Sequence, residues 1–140
     1  MEIKNSTEVR KEWSESIDLS IRTHPVFIKR NRDILSLFSI KHIERLLDEY
    51  NIYVSVEYSD NCTYTARIPQ FDIFINKQET ITEVSDKAVE KLKAFCLDYF
   101  DNLDININLQ ERAKLFPYVL KVIIAIVNEH DIKDMLIIKN

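Results

Sequence analysis

The chain has 140 residues, no glycine, three prolines, 46% hydrophobic and 30% charged residues, and a net charge of −4 from 19 basic against 23 acidic side chains. That length fits one soluble domain or two small ones, and roughly 68% of the unfolded surface can be buried without a disulfide or metal staple. The balance excludes wholesale disorder and a globally basic nucleic-acid binder, zero glycine excludes any glycine-built phosphate loop, and the most apolar run, residues 119–127 interrupted by Lys121, falls far short of the roughly 20 residues of a bilayer span.

Residues 1–5 read as a short strand with Ile3 inside. Ser6 and Thr7 are candidate N-caps, and Val9, Trp13, Ile17 and Ile21 recur near every four residues, which predicts one amphipathic helix. Arg10, Lys11, Ser14 and Glu15 lie on its other faces. Beyond Pro25, residues 26–30 face residues 34–38 across Asn31-Arg32, the pattern of a β-hairpin. Ser39 can cap a second helix whose stripe is Ile43, Leu46, Leu47 and Tyr50. The first fifty residues therefore read β-α-β-β-α.

After Asn51 the hydrophobic period changes to two. Val54, Val56 and Tyr58 alternate with polar residues, as do Tyr64, Ala66 and Ile68 after Ser59-Asp60-Asn61, and Phe71, Ile73 and Ile75 after Pro69-Gln70. These predict a three-stranded antiparallel meander with one apolar face. Thr80-Ile-Thr-Glu83 has capping-box spacing, and Ile81, Val84, Ala88, Leu92, Phe95 and Tyr99, widened by Val89, Cys96 and Phe100, form the stripe of a helix that covers the sheet. It should end near Asp101-Asn102. From residue 108 onward the pattern is helical: a short helix, a second from Pro117 to Val127 with proline in its first turn, and a last turn or two over residues 132–138.

Residues 1–50 hold nine basic and nine acidic residues, and residues 51–140 hold ten and fourteen, so the acidic excess belongs to the second part. Cys62 and Cys96 form no CxxC and read as reduced core thiols, and residues 1–5 lack the apolar stretch of a secretion signal; both agree with a cytoplasmic location. His24, His42 and His130 have no ligand spacing, so no metal is expected. No nucleophile has a visible partner, and no cofactor motif occurs. Asp98 and Asp101, at helical spacing, read as a solvated helix face; Tyr58, Tyr64, Phe71 and Phe74 read as core rather than as a platform for single-stranded RNA. The one concentrated charge feature is Lys29-Arg30-Asn31-Arg32 at the hairpin tip, with Arg10-Lys11 on the first helix, residue types that suit phosphate contact.

Three segments carry a resemblance: Ile3-Lys-Asn-Ser-Thr-Glu-Val-Arg10-Lys-Glu-Trp13, Pro25-Val-Phe-Ile28-Lys-Arg30-Asn-Arg-Asp33, and Leu35-Ser-Leu-Phe-Ser39-Ile-Lys-His-Ile43. In order and spacing, over about residues 1–48, they resemble the Phd/YefM antitoxins of bacterial toxin–antitoxin modules. The resemblance implies a homodimeric module that binds operator DNA and represses its own operon. It places Arg10 as the helix-one arginine set against DNA and Arg30 as the arginine before the hairpin turn; Ser6, Thr7, Lys11, Lys29, Asn31 and Arg32 complete the expected DNA-binding set. Where that family commonly has glycine in the turn, this chain has Asn31-Arg32, and asparagine tolerates left-handed geometry. In typical members the second half is disordered when free, whereas residues 52–101 here read as ordered, with a layout loosely similar to HicB-type antitoxin domains.

The expectation is an α+β protein of two modules: residues 1–50 for dimerisation and DNA binding, and residues 52–140 for binding a cognate toxin, a small ribonuclease whose basic surface would suit the acidic excess. It is not expected to be an enzyme, to carry a cofactor or to meet a membrane. The alternative is a dimeric adaptor that kept the fold without binding DNA, and a small hydrolase ranks third.

Overall fold

Asn5, rather than Ser6 or Thr7, starts the first helix in the computed structural model, which describes residues 1–140. Its side chain accepts from the Glu8 amide at 2.9 Å, and the Glu8 carboxylate accepts from the Asn5 amide at 3.2 Å, a closed capping box. The signal was in the sequence: of three adjacent residues able to cap, only Asn5 has a glutamate three positions on. Strand β1 (Ile3–Asn5) leads into α1 (Ser6–Lys11), and Glu12, which accepts from Lys4 at 3.0 Å, separates α1 from α2 (Trp13–Arg22). The expected single helix is thus two.

Strands β2 (Val26–Arg30) and β3 (Asp33–Leu37) form the hairpin, with Arg30 opposite Asp33, and β1 adds to β2 in parallel with Asn5 opposite Lys29. Only Val9, Val26 and Ile28 make up the buried apolar core of this unit, residues 1–46. Trp13 and Ile21, expected inside, are exposed, as is Ile3; the helix turns Ser16 and Ser20 inward instead. A layer this thin needs small side chains where helix meets sheet, and that requirement does not follow from apolar periodicity. In α3 (Ile40–Leu47), Leu47 is buried but Leu46, expected in the same stripe, is 69% exposed.

Residues 47–140 form the second unit. Strands β4 (Ile52–Tyr58), β5 (Tyr64–Ile68) and β6 (Ile73–Gln78) make the expected meander, in which Ile52, Val54, Val56, Ala66, Ile68 and Ile75 face inward. A fourth strand was not foreseen: β7 (Leu136–Lys139) pairs in parallel with β4, giving the order β6-β5-β4-β7. Residues 132–138, read as helical, are a 3₁₀ turn followed by this strand. Such a short apolar segment fits either period, and a pairing some eighty residues away decides it.

Helix α4 (Ile81–Asp101) begins at the expected Thr80/Glu83 box, with the Glu83 amide donating to Thr80 Oγ1 at 3.1 Å. Its buried line is Val84, Ala88, Leu92, Cys96 and Tyr99, while Ile81 and Phe100 stay outside. Helices α5 (Leu103–Ile107), α6 (Gln110–Ala113) and α7 (Phe116–Val127) complete the layer, Pro117 lying in the first turn of α7. A polar knot ties the first of these to α4. Asn106 Nδ2 donates to Tyr99 O at 2.8 Å, Arg112 Nε to Asn106 Oδ1 at 2.6 Å, and Tyr99 Oη to Arg112 O at 2.6 Å. The Arg112 guanidinium also stands 5.6 Å from the ring centres of both Phe95 and Tyr99.

With no glycine available, four turns place other residues in left-handed backbone: Asn31 (φ 54°), Cys62 (φ 57°), Asp72 (φ 52°) and Glu129 (φ 56°). Asn31 keeps the hairpin turn as anticipated. Cys62, expected in the core, is exposed on the β4–β5 turn because that turn needs a left-handed residue there. Cys96 is the core thiol, and burial pushes it up to about 12.

Candidate functional site

The parallel pairing of β1 with β2 decides the geometry of residues 1–46. Because Asn5 stands opposite Lys29, the start of α1 and the tip of the β2–β3 hairpin lie at the same end of the three-stranded sheet. Ser6 and Thr7 therefore sit beside Lys29, Arg30, Asn31 and Arg32. Arg10 and Lys11, in the last turn of α1, lie about 6–8 Å further along that helix. Apart from half-buried Ser6, all eight are exposed. Lys4 is engaged by Glu12, whereas Arg10, Lys11, Lys29, Arg30 and Arg32 make no ion pair. Lys29, Arg30 and Arg32 at the hairpin tip and Arg10 and Lys11 on the helix that starts at the same end can neutralise phosphates without first breaking internal ion pairs.

Charge divides more sharply along the structural units than along the sequence halves. Residues 1–46 hold nine basic and seven acidic residues, and residues 47–140 hold ten and sixteen. The small unit is net positive and the large one strongly negative.

The same small unit leaves apolar side chains uncovered on both faces of its sheet. Ile3, Phe27 and Ile34 share one face, Ile34 being 63% exposed, and Leu35 on the opposite face is 54% exposed. An isolated layer of this kind is marginal in water.

In residues 47–140 the face of the sheet away from α4 carries Tyr53, Ser55, Arg67, Phe74, Ile137 and Lys139. Lys139 Nζ stands 4.3 Å from the centre of the Tyr53 ring. Of the four aromatics expected in the core, Phe71 is buried and Tyr64 packs against it; Tyr58 and Phe74 are exposed, the first beyond the end of the covering helices and the second on this open face. The Tyr58 phenol is raised by a hydrogen bond with Cys62. A shallow groove of about 360 Å³ between α4 and the end of α7 is lined by Val89, Lys93, Ile126, Glu129, His130, Asp131 and Ile132. Its lining holds no Ser, Thr or Cys. No group of three His, Cys, Asp or Glu side chains converges, and no helix is long and apolar enough to cross a membrane.

Residues 1–138 match the PHD-like family, described as the antitoxin of RelE/RelB toxin–antitoxin systems. The chain is similar in structure to the crystal structure of an antitoxin part of a candidate toxin/antitoxin system from Syntrophomonas wolfei subsp. wolfei, with a TM-score of 0.82, 31% identity and 99% of each chain covered. No curated protein matches the chain.

Proposed function

The chain belongs to the PHD-like antitoxins of RelE/RelB toxin–antitoxin systems, and from that premise we propose that residues 47–140 neutralise a cognate toxin by direct binding while residues 1–46 bind operator DNA as a homodimer of Phd/YefM type. Proteins of this family act by binding rather than by catalysis. The observation that carries the DNA assignment is a set of five cations without ion pairs, three at the hairpin tip and two on α1, the helix that starts at the same end of the sheet. Arg10 and Arg30 are the base-reading arginines; Ser6, Thr7, Lys11, Lys29, Asn31 and Arg32 hold the phosphate backbone. The uncovered Ile34 and Leu35 supply the dimer contact. The toxin is a small, basic ribonuclease met in the cytoplasm, and its complement is the excess of sixteen acidic over ten basic residues in 47–140. Neither comparison supports the HicB-like layout of residues 52–101, and the proposal makes no use of it.

The test is fluorescence anisotropy of the intact protein on DNA from the promoter region of its own operon. Affinity should fall steeply with salt, and Arg10→Ala or Arg30→Ala should weaken binding about tenfold or more, the cost of about 1–3 kcal/mol for a lost bidentate base contact. Binding that ignores salt and both substitutions would instead identify a dimeric adaptor that does not read DNA.

A further inference from the structure

Resting on the toxin-binding reading and extending it to named residues, we propose that the partner seats on the outer stripe at the junction of α4 and α5. Leu97, Phe100 and Ile105 are its apolar anchors, Asp98, Asp101 and Asp104 its charged rim, and the partner face is an apolar groove rimmed by lysine and arginine.

The helix breaks at Asn102, whose backbone (φ −115°, ψ 35°) leaves the helical region: its amide closes α4 on Asp98 O at 3.2 Å, and the Asn106 amide opens α5 on Asn102 O at 3.1 Å. Leu97, Phe100 and Asp101 recur at spacings of three and four and share one face of α4, and Asp104 and Ile105 follow in the first turn of α5. The inward partners Cys96, Tyr99 and Asn106 are buried, whereas Leu97, Phe100 and Ile105 are 42%, 41% and 64% exposed.

Two features of this stripe work against the fold of the free chain. Exposed apolar side chains cluster where water disfavours them. The C-terminal end of α4 is the negative end of its dipole and favours cations, yet its last turn has no basic residue and carries Asp98 and Asp101. No basic residue occurs between Lys93 and Arg112, and none of the three aspartates makes an ion pair. The backbone carbonyls there are capped instead by neutral side chains, Asn102 Nδ2 on Asp98 O at 3.0 Å and Asn108 Nδ2 on Asp104 O at 2.6 Å. Both costs are relieved together by one kind of partner, apolar at the centre and basic at the rim. The open sheet face sets Arg67 and Lys139 beside Glu57 and suits that partner less.

The probe is the protein encoded by the gene adjacent to this one, titrated against the full-length chain at physiological salt. Phe100→Ala or Ile105→Ala should weaken binding about 30-fold, as loss of an anchor does. Asp98→Lys with Asp101→Lys should abolish binding and raise the melting temperature by about 2–4 °C, because it improves the C-terminal end of α4. A purely structural role predicts a lower melting temperature instead. Arg67→Glu and Phe74→Ala should leave affinity unchanged. If the stripe variants bind like wild type while the sheet-face variants lose affinity, this placement is overturned and toxin neutralisation stands. If the unaltered chain does not bind the adjacent gene's product, the toxin reading falls and takes this placement with it.

Discussion

Residues 1–46 and 47–140 use the same vocabulary, a small mixed sheet under helices, with opposite results. The larger unit closes on seventeen buried core residues drawn from three strands, two long helices and two 3₁₀ turns, while the smaller one closes on three and leaves Trp13, Ile34 and Leu35 in water. The difference lies in what faces the sheet. Helix α4 presents a full line of large side chains, and α2 presents Ser16 and Ser20. Closure of a sheet is therefore decided by the volume its helices bring, and a unit that brings little has to find the rest in another molecule.

The sharpest way to break this comparison is to cut the chain. Residues 47–140 alone should give dispersed amide NMR shifts and a cooperative melt independent of concentration. Residues 1–46 alone should be unfolded when dilute, with any structure gained only as protein concentration rises in light scattering and circular dichroism. A folded, monomeric 1–46 fragment would refute the contrast.

A smaller effect separates the units by substitution. Leu92 is fully buried at the centre of the larger core, so Leu92→Ala should cost about 3 kcal/mol in denaturant unfolding, by equal amounts in the full chain and in the 47–140 fragment. Any difference between the two would mean that the larger unit leans on the smaller.

The third effect is confined to alkaline pH. Cys96 is raised from an ordinary 9.0 to about 12 by burial, and burial raises Tyr99 as well. Folded, these groups hold their protons more tightly than unfolded. Stability of the larger unit is then complete below pH 9 and declines toward pH 12 by at most about 1.4 kcal/mol per pH unit for each group. Cys96→Ala should flatten the thiol's share of that decline in pH-dependent melts, whatever it does to stability at neutrality.

The smallest effect belongs to the small unit. Ser16 Oγ is buried without a hydrogen-bond partner, an unusual cost in a core of three residues. Ser16→Ala removes it and improves helix propensity, so the protein should gain about 1 kcal/mol. A loss would show that the hydroxyl has a partner in solution.

What the sequence disclosed follows the range of the interactions involved. The Thr80/Glu83 box, the Asn31-Arg32 turn and the strand alternation through Val54, Ala66 and Ile75 are short-range features, and each was legible. Strand β7 was not, because Leu136–Lys139 gains its conformation from β4. Nor was the exposure of Trp13, Ile21 and Leu46, which depends on how little lies opposite them. Of the eight candidate DNA-binding residues, Arg10, Lys11 and residues 29–32 stand out in the sequence as charge clusters, whereas Ser6 and Thr7 enter only with the family resemblance; what the sequence could not supply was the parallel β1–β2 pairing that sets the start of α1 at the hairpin-tip end of the sheet.

The four left-handed turns have a consequence of another kind. A chain of this length with ordinary composition would carry about ten glycines, each widening the range of shapes the unfolded chain explores. This one has none, so its unfolded state is stiffer throughout, and ordering each segment surrenders less entropy. The strain at Asn31, Cys62, Asp72 and Glu129 is local, whereas the gain is spread along the whole backbone. Glycine introduced at Glu129 should relax one turn, and glycine introduced in the middle of α4 should loosen the ensemble the protein folds from.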